Sequence, residues 1–239
     1  MPPTDSGLGS SSDDTLDLQL PPEFGALSAE GHGQAEGHGQ QLSPDVPGAG
    51  PLLDNLAGWG AAGTPAGPFE LVPVRPARDL DRIAGWMNDP AVAAFWELAG
   101  PPETTAAHLR GQLDGDGRSV PCLGVLAGVP MSYWEIYRAD LDPLARCYPA
   151  RPQDTGVHLL IGGAGDRGRG LGGMLLRAAA DLVLDHRPQC ARVLAEPDLR
   201  NTASVAAFLS AGFRYGDEIE LPGKRAALMV RDRAHRHLF

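Results

Sequence analysis

Gly165-Asp166-Arg167-Gly168-Arg169-Gly170-Leu171-Gly172-Gly173 stands between a short apolar run, Val157 to Ile161, and a strongly helical stretch, Leu171 to Leu184. A glycine-rich strand-to-helix connection lets main-chain N–H groups converge on an anion at the helix start, where the macrodipole also favours negative charge. Arg167 and Arg169 add counter-charge. The residue types therefore point to a phosphate-bearing ligand. Spaced as Gly168-x-Gly170-x-x-Gly173, the turn matches a dinucleotide fingerprint, with Glu196 as an acidic residue beyond the next strand. A full dinucleotide fold needs further βα units at that point, and too few residues follow Glu196 to supply them.

Working outward from the turn, apolar periodicity predicts an α/β domain over residues 69–239. Phe69 to Val74 reads as a strand, and Asp79 as the N-cap of a helix carrying Leu80, Ile83 and Met87 and ended by Pro90. Helices follow near Val92 to Leu98 and Glu103 to Leu113. Val120 to Leu126 and Met131 to Tyr137 flank Gly128 as a hairpin. Beyond the glycine turn come a strand at Arg192 to Ala195, a helix at Thr202 to Ser210, and a last pair of strands at Tyr215 to Leu221 and Ala226 to Val230. Such an order describes a mixed sheet with helices on it, not a repeating βαβ pattern.

Residues 1–68 differ in kind. They hold nine acidic side chains, no Lys or Arg, 13 Gly and 9 Pro, a composition that predicts a disordered tail. The hexamer AEGHGQ occurs twice, from Ala29 and from Ala35, and its His32 and His38 hint at weak metal binding. Leu52 to Trp59 is a short apolar piece suited to docking on the domain or a partner. The whole chain of 239 residues carries a formal charge of −10, which argues against nucleic acid. Because the tail alone contributes −9, the remaining 20 basic and 21 acidic residues leave the domain at −1. No apolar run suggests a membrane span or a signal peptide, so the expectation is a cytoplasmic protein. Cys122, Cys147 and Cys190 are widely spaced and form no metal-ligand pattern.

Read as Arg167-x-x-Gly170-x-Gly172, the turn resembles the pyrophosphate-binding turn of the GNAT acyltransferases. Asn201-x-x-Ser204-x-x-x-Phe208-x-x-x-Gly212-Phe213 resembles the later helix of the same family, in the right order and at the right distance. The resemblance narrows further on Trp86-Met87-Asn88-Asp89-Pro90, Tyr133-Trp134-Glu135-Ile136-Tyr137, Gly156-Val157-His158-Leu159-Leu160, Ala195-Glu196-Pro197-Asp198 and Lys224-Arg225-Ala226-Ala227. These stretches are similar to the acyltransferases of hydroxamate siderophore assembly, over nearly all of residues 69–239. The sole lysine of the chain, Lys224, falls inside one of them.

That resemblance implies a GNAT fold, with a mixed, mostly antiparallel sheet flanked by helices and splayed where the thioester lies. It implies acyl-CoA as co-substrate, with no permanently bound cofactor and no metal, held by Arg167, Gly168, Arg169, Gly170, Gly172, Gly173 and Asn201. His158 and Asp198 are implied at the acceptor site, Asp198 as general base or orienter and His158 as a hydrogen-bond partner that shares the proton. Trp96, Tyr133 and Lys224 are implied on the acceptor side. Judged on setting alone, His158 is a half-buried strand residue, Asp198 a turn residue and the aromatics core. A main-chain N–H near Ile161 or Gly162 is the implied oxyanion donor, and Phe208 stands where many family members carry a tyrosine that protonates the leaving thiolate. The expected activity is transfer of an acyl group to the terminal amino or N-hydroxyamino nitrogen of lysine or a related diamine. An acyl carrier protein or a siderophore synthetase is the implied macromolecular partner. The rivals are a dinucleotide-binding reductase and a non-catalytic acyl-CoA-binding regulator.

Overall fold

Phe69 and Leu71 alternate with more exposed neighbours and give a strand one buried face, the run from Met131 to Arg138 is buried at every position and has two, and the computed structural model assembles these strands into one eight-stranded sheet. It describes Leu53 and residues 55–238. The strands are β1 (Ala61–Thr64), β2 (Gly67–Pro73), β3 (Ser119–Leu126), β4 (Val129–Arg138), β5 (Thr155–Ile161), β6 (Arg192–Ala195), β7 (Arg214–Leu221) and β8 (Lys224–Asp232), in spatial order β1-β2-β3-β4-β5-β6-β8-β7. All neighbours run antiparallel except β5 and β6. Helices α1 (Pro76–Met87), α2 (Pro90–Trp96) and α3 (Pro102–Leu113) precede β3, α4 (Leu171–His186) joins β5 to β6, and α5 (Thr202–Ser210) joins β6 to β7. The apolar face of α4 packs with α5 on one side of the sheet, against Trp134, Ile136 and Val157. On the other side Ile83, Met87 and Leu109 pack on Tyr133 and Leu160. No helix among the described residues is long and apolar enough to cross a membrane.

Three expectations change. Asp79 is not the N-cap of α1: Pro76 opens the helix, where its missing N–H costs nothing, and Asp79 lies one turn in, accepting the Arg75 N–H at 2.8 Å. Pro90 does not end that helix but starts the next, with Asp89 capping α2 through the Ala91 N–H at 2.9 Å. The folded domain also starts before residue 69. A 3₁₀ turn at Leu56–Gly58 and strand β1 lie within the stretch assigned to the tail, and Leu53, Leu56 and Trp59 are buried in the main core. Trp59 stacks on His186 of α4. The AEGHGQ repeats, with His32 and His38, and the disorder expected of the tail lie outside the described residues.

Gly156 is held by a close approach rather than a turn. A Cβ there would sit 2.0 Å from the Tyr137 ring, which crosses β5 at this point. Gly156→Ala is expected to cost about 1–3 kcal/mol through overpacking, read as a lower midpoint in urea unfolding.

Candidate active site

Strands β5 and β6 pair only at Thr155↔Val193 and Gly156↔Leu194, after which β5 runs on to Ile161 while β6 stops at Ala195. The sheet therefore splits beyond Gly156. On its other edge β5 stays paired with β4, and Gly162 N–H donates to Met131 O at 2.9 Å. In an antiparallel ladder the bonded pairs alternate, so Leu159 and Ile161 turn their N–H groups toward the split. Of the two oxyanion donors implied by the sequence, Gly162 is thus already engaged and Ile161 faces the opening.

A cleft with two arms occupies the split. One arm, about 300 Å³, reaches His158, Glu196, Asp198 and Lys224. The other, about 540 Å³, reaches the glycine turn and the N-terminus of α4. Phe95, Trp96, Leu159, Asn201, Ser204 and Phe208 line both, and so mark the junction.

The smaller arm is built on the register of β4 and β5, which sets Glu135 opposite His158 and Tyr137 opposite Gly156. His158 Nδ1 meets Glu135 Oε2 at 2.8 Å and its Nε2 meets Glu196 Oε1 at 2.5 Å. Across Gly156 the Tyr137 hydroxyl donates to Glu196 Oε2 at 2.7 Å. Lys224 Nζ donates to the Glu196 main-chain oxygen at 2.8 Å. Behind Glu135, Oε1 accepts from Gln112 at 2.7 Å and from the Tyr133 hydroxyl at 3.0 Å, and lies 2.5 Å from His108 Nε2. Removal from water would push His158 down, but the Glu196 charge and the bonds to Glu135 and Glu196 outweigh it and raise it to about 10. Burial would raise Glu196, and the His158 charge and hydrogen bond win, lowering it to about 2. Glu135 is depressed in the same way: burial is outweighed by its bonds to His108 and His158. A carboxylate at each ring nitrogen favours the charged imidazolium and occupies both atoms through which His158 would share the acceptor's proton.

Asp198 follows the end of β6 and meets Ala226 in an isolated bridge. Its Oδ1 accepts the Arg200 N–H at 2.7 Å, and its Oδ2 accepts from the Arg200 guanidinium at 2.7 Å. The Arg200 side-chain bond, then its main-chain N–H, holds the carboxyl below the ordinary aspartate value.

In the larger arm, Gly168 and Gly170 have φ of 70° and 77°, which favour glycine, and Gly170 caps α4. The first N–H groups of α4 have no partner within the helix. Arg169 has a 65% exposed side chain and, among the described residues, only a 3.8 Å contact to Asp166. Arg167 is placed differently from expectation: its guanidinium donates to Ile161 O, Gly162 O and Asp89 Oδ1 at 2.9, 2.7 and 2.9 Å. It fastens the end of β5 and the cap of α2 to the turn, and its charge is already balanced. Gly173 serves packing, since a Cβ would lie 2.0 Å from Ser210 Oγ of α5. Gly172 faces the arm, and Asn201 caps α5 by accepting the Ser204 N–H at 3.1 Å.

Trp96 touches both arms and sets its edge against Tyr133 and His158. Tyr133, expected at the acceptor, is fully buried under α3 and supports Glu135 instead. The structure adds Glu135, Glu196, His108 and Tyr137 to the site. Glu135 and Glu196 stand inside stretches whose similarity was already apparent, whereas His108 lies on a helix of weak amphipathic pattern that marks no residue out. Glu196 is not the free carboxylate a dinucleotide ribose would need.

A family model described as the acetyltransferase (GNAT) domain matches residues 75–221. Lysine N-acyltransferase MbtK of Mycolicibacterium paratuberculosis is 40% identical over 167 residues, 69% of this chain and 74% of that one. The N(6)-hydroxylysine O-acetyltransferase of Escherichia coli is 35% identical over 160 residues, 67% of this chain but only 50% of that protein. Among solved structures, an uncharacterized protein from Bacillus halodurans superposes with a TM-score of 0.68 at 32% identity, covering 73% of this chain and 90% of that one. AAC(6')-Ib in complex with ribostamycin and coenzyme A gives 0.63 at 22% identity, covering 70% and 94%, a likeness of fold.

Proposed function

The chain belongs to the GNAT acetyltransferase family, and from that premise we propose that it moves an acyl group from CoA to the terminal, N-hydroxylated nitrogen of lysine or a related diamine in hydroxamate siderophore synthesis. The observation that carries this is the two-armed cleft, one arm ending at the glycine turn and the N-terminus of α4 and the other on a fixed set of carboxylates and cations. The names of the mycobacterial and Escherichia relatives supply the acceptor class.

In this assignment the CoA pyrophosphate lies on the first N–H groups of α4 and on Arg169, while Arg167 holds the turn in shape. Side chains at Gly168 and Gly170 would be strained and Gly172 lines the arm, so the cradle suits a ligand that approaches main chain. The thioester carbonyl meets Ile161 N–H, which stabilises the oxyanion. Asp198 takes the proton as the C–N bond forms. His158 presents a fixed positive edge and orients the acceptor.

Charge selects the acceptor. Glu135, Glu196 and Asp198 are matched by His158, Lys224 and Arg200, so the arm has no surplus negative charge for an alkylammonium. A depressed aspartate is also too weak a base to strip one. An N-hydroxyamine is largely neutral near pH 7 and needs only a weak base after attack. A thiol-release assay with acetyl-, succinyl- and longer acyl-CoA against lysine, N6-hydroxylysine and N-hydroxycadaverine tests this. CoA release is expected to be far faster with an acceptor than the slow hydrolysis without one, and fastest with the hydroxylated acceptors; no acceleration by any member of the panel would sink the proposal.

A further inference from the structure

We propose that Ser204 supplies the hydrogen that meets the departing CoA sulfur, the task a phenol would perform at position 208 and that Phe208 lacks the oxygen to perform. The inference rests on the acyl-transfer assignment above. When the C–S bond breaks, its electron pair collects on sulfur at the junction of the two arms, where Phe95, Trp96, Leu159 and Phe208 offer largely apolar walls. Charge developing in such a place needs a donor aimed at it.

Of the six junction residues three carry a polar hydrogen in the side chain: the Trp96 indole, the Asn201 amide and the Ser204 hydroxyl. Indole is a donor only, and the Asn201 oxygen is committed to capping Ser204 N–H. The hydroxyl turns about its C–O bond and so aims its hydrogen at the developing charge. The Ser204 hydroxyl has no hydrogen-bond partner among the described residues, so it is available without breaking an existing bond. Ser204 stands one turn before Phe208 on the same face of α5, which brings it to the space that a tyrosine hydroxyl at 208 would serve. Lys224 lines the smaller arm alone and not the junction, and the other proton carriers nearby are occupied. His158 is tied to Glu135 and Glu196, Tyr133 donates to Glu135, and Tyr137 donates to Glu196.

The step balances as follows. The acceptor nitrogen bonds to the acyl carbon, the C–S bond breaks, and its electron pair goes to sulfur. The nitrogen's proton passes to Asp198, and the departing thiolate accepts a hydrogen bond from the Ser204 hydroxyl, which keeps its proton. The proton on Asp198 reaches sulfur through cleft water, so the products are the N-acylated acceptor and free CoA thiol.

Ser204→Ala is expected to lower kcat about ten- to a hundredfold, the weight of one hydrogen bond to a charged group, with affinity for CoA measured by calorimetry unchanged. Phe208→Tyr introduced into that variant is expected to restore most of the loss. Slow hydrolysis of acyl-CoA without acceptor expels the same thiolate and should fall by the same factor, so the role of Ser204 is read even if the acceptor assignment fails. Wild-type rates in Ser204→Ala, or a loss that Phe208→Tyr leaves unrepaired, would overturn the proposal.

Discussion

Asp198→Asn is expected to lower kcat by about 10²–10⁴-fold, the usual weight of a positioned general base, while CoA affinity and melting temperature stay near wild type. The amide keeps an oxygen for the Arg200 N–H that Asp198 now accepts at 2.7 Å, so the turn after β6 survives the change. What is lost is the ability to take a proton. Because Arg200 holds the wild-type carboxyl below its ordinary value, the carboxylate stays ionised throughout the neutral range. The wild-type rate should therefore lose its base only at acid pH, and the variant should lack that acid limb. Steady-state kinetics with a hydroxylated acceptor across pH checks both points. Turnover unaffected by Asp198→Asn would remove the base assignment, and CoA binding without any turnover in either protein would favour a regulator.

Glu135→Ala is expected to destabilise the fold by about 3–5 kcal/mol, because it strips one side of a buried charge pair and leaves His158 and the Tyr133 hydroxyl short of a partner. Its signature lies in the pH dependence. His158 is raised from 6.5 to about 10, so its contribution is complete below 6.5 and is lost as pH rises through about 10. Glu196 is lowered from 4.5 to about 2, so its contribution is complete above 4.5 and is lost as pH falls through about 2. Glu135, lowered too, acts in the Glu196 direction. Wild-type stability should thus peak between 4.5 and 6.5 and decline on both sides. In Glu135→Ala the alkaline decline should begin at the same pH, end earlier and be smaller in total, since His158 keeps one carboxylate. Urea unfolding from acid to alkaline pH measures this, and two superimposable profiles would show that the Glu135–His158 pair carries no weight.

Much of this architecture is legible in the residues because local and long-range signals agree. Arg192–Ala195 and Thr202–Ser210 have the bounds that periodicity predicts, and Ala127 and Gly128, with φ of 48° and 81°, make the tight turn expected between β3 and β4. Strand β1 was not legible. Its Ala-Ala-Gly-Thr sequence has no β-branched or aromatic alternation, and only pairing with β2 makes it a strand. Asp79 misleads because an acid in the first turn and an acid at the cap look alike until the position of Pro76 is weighed. The site was legible in part. His158 and Asp198 are marked by the stretches they occupy, but no spacing reveals that a strand register sets Glu135 against His158, or that Arg167 turns inward. Those outcomes depend on contacts between segments far apart in the chain.

The two residue pairs that join β5 to β6 make the sheet a pair of leaves sharing a narrow spine. His158–Glu196 and Tyr137–Glu196 bolt the leaves together just beyond that spine. The crevice is therefore a wedge whose apex cannot widen without breaking buried ionic contacts, while its mouth is free to adapt. On the proposed function, acyl chains and acceptors of different bulk would be taken up at the mouth, while the depth at which carbonyl and nitrogen meet would stay the same for all of them.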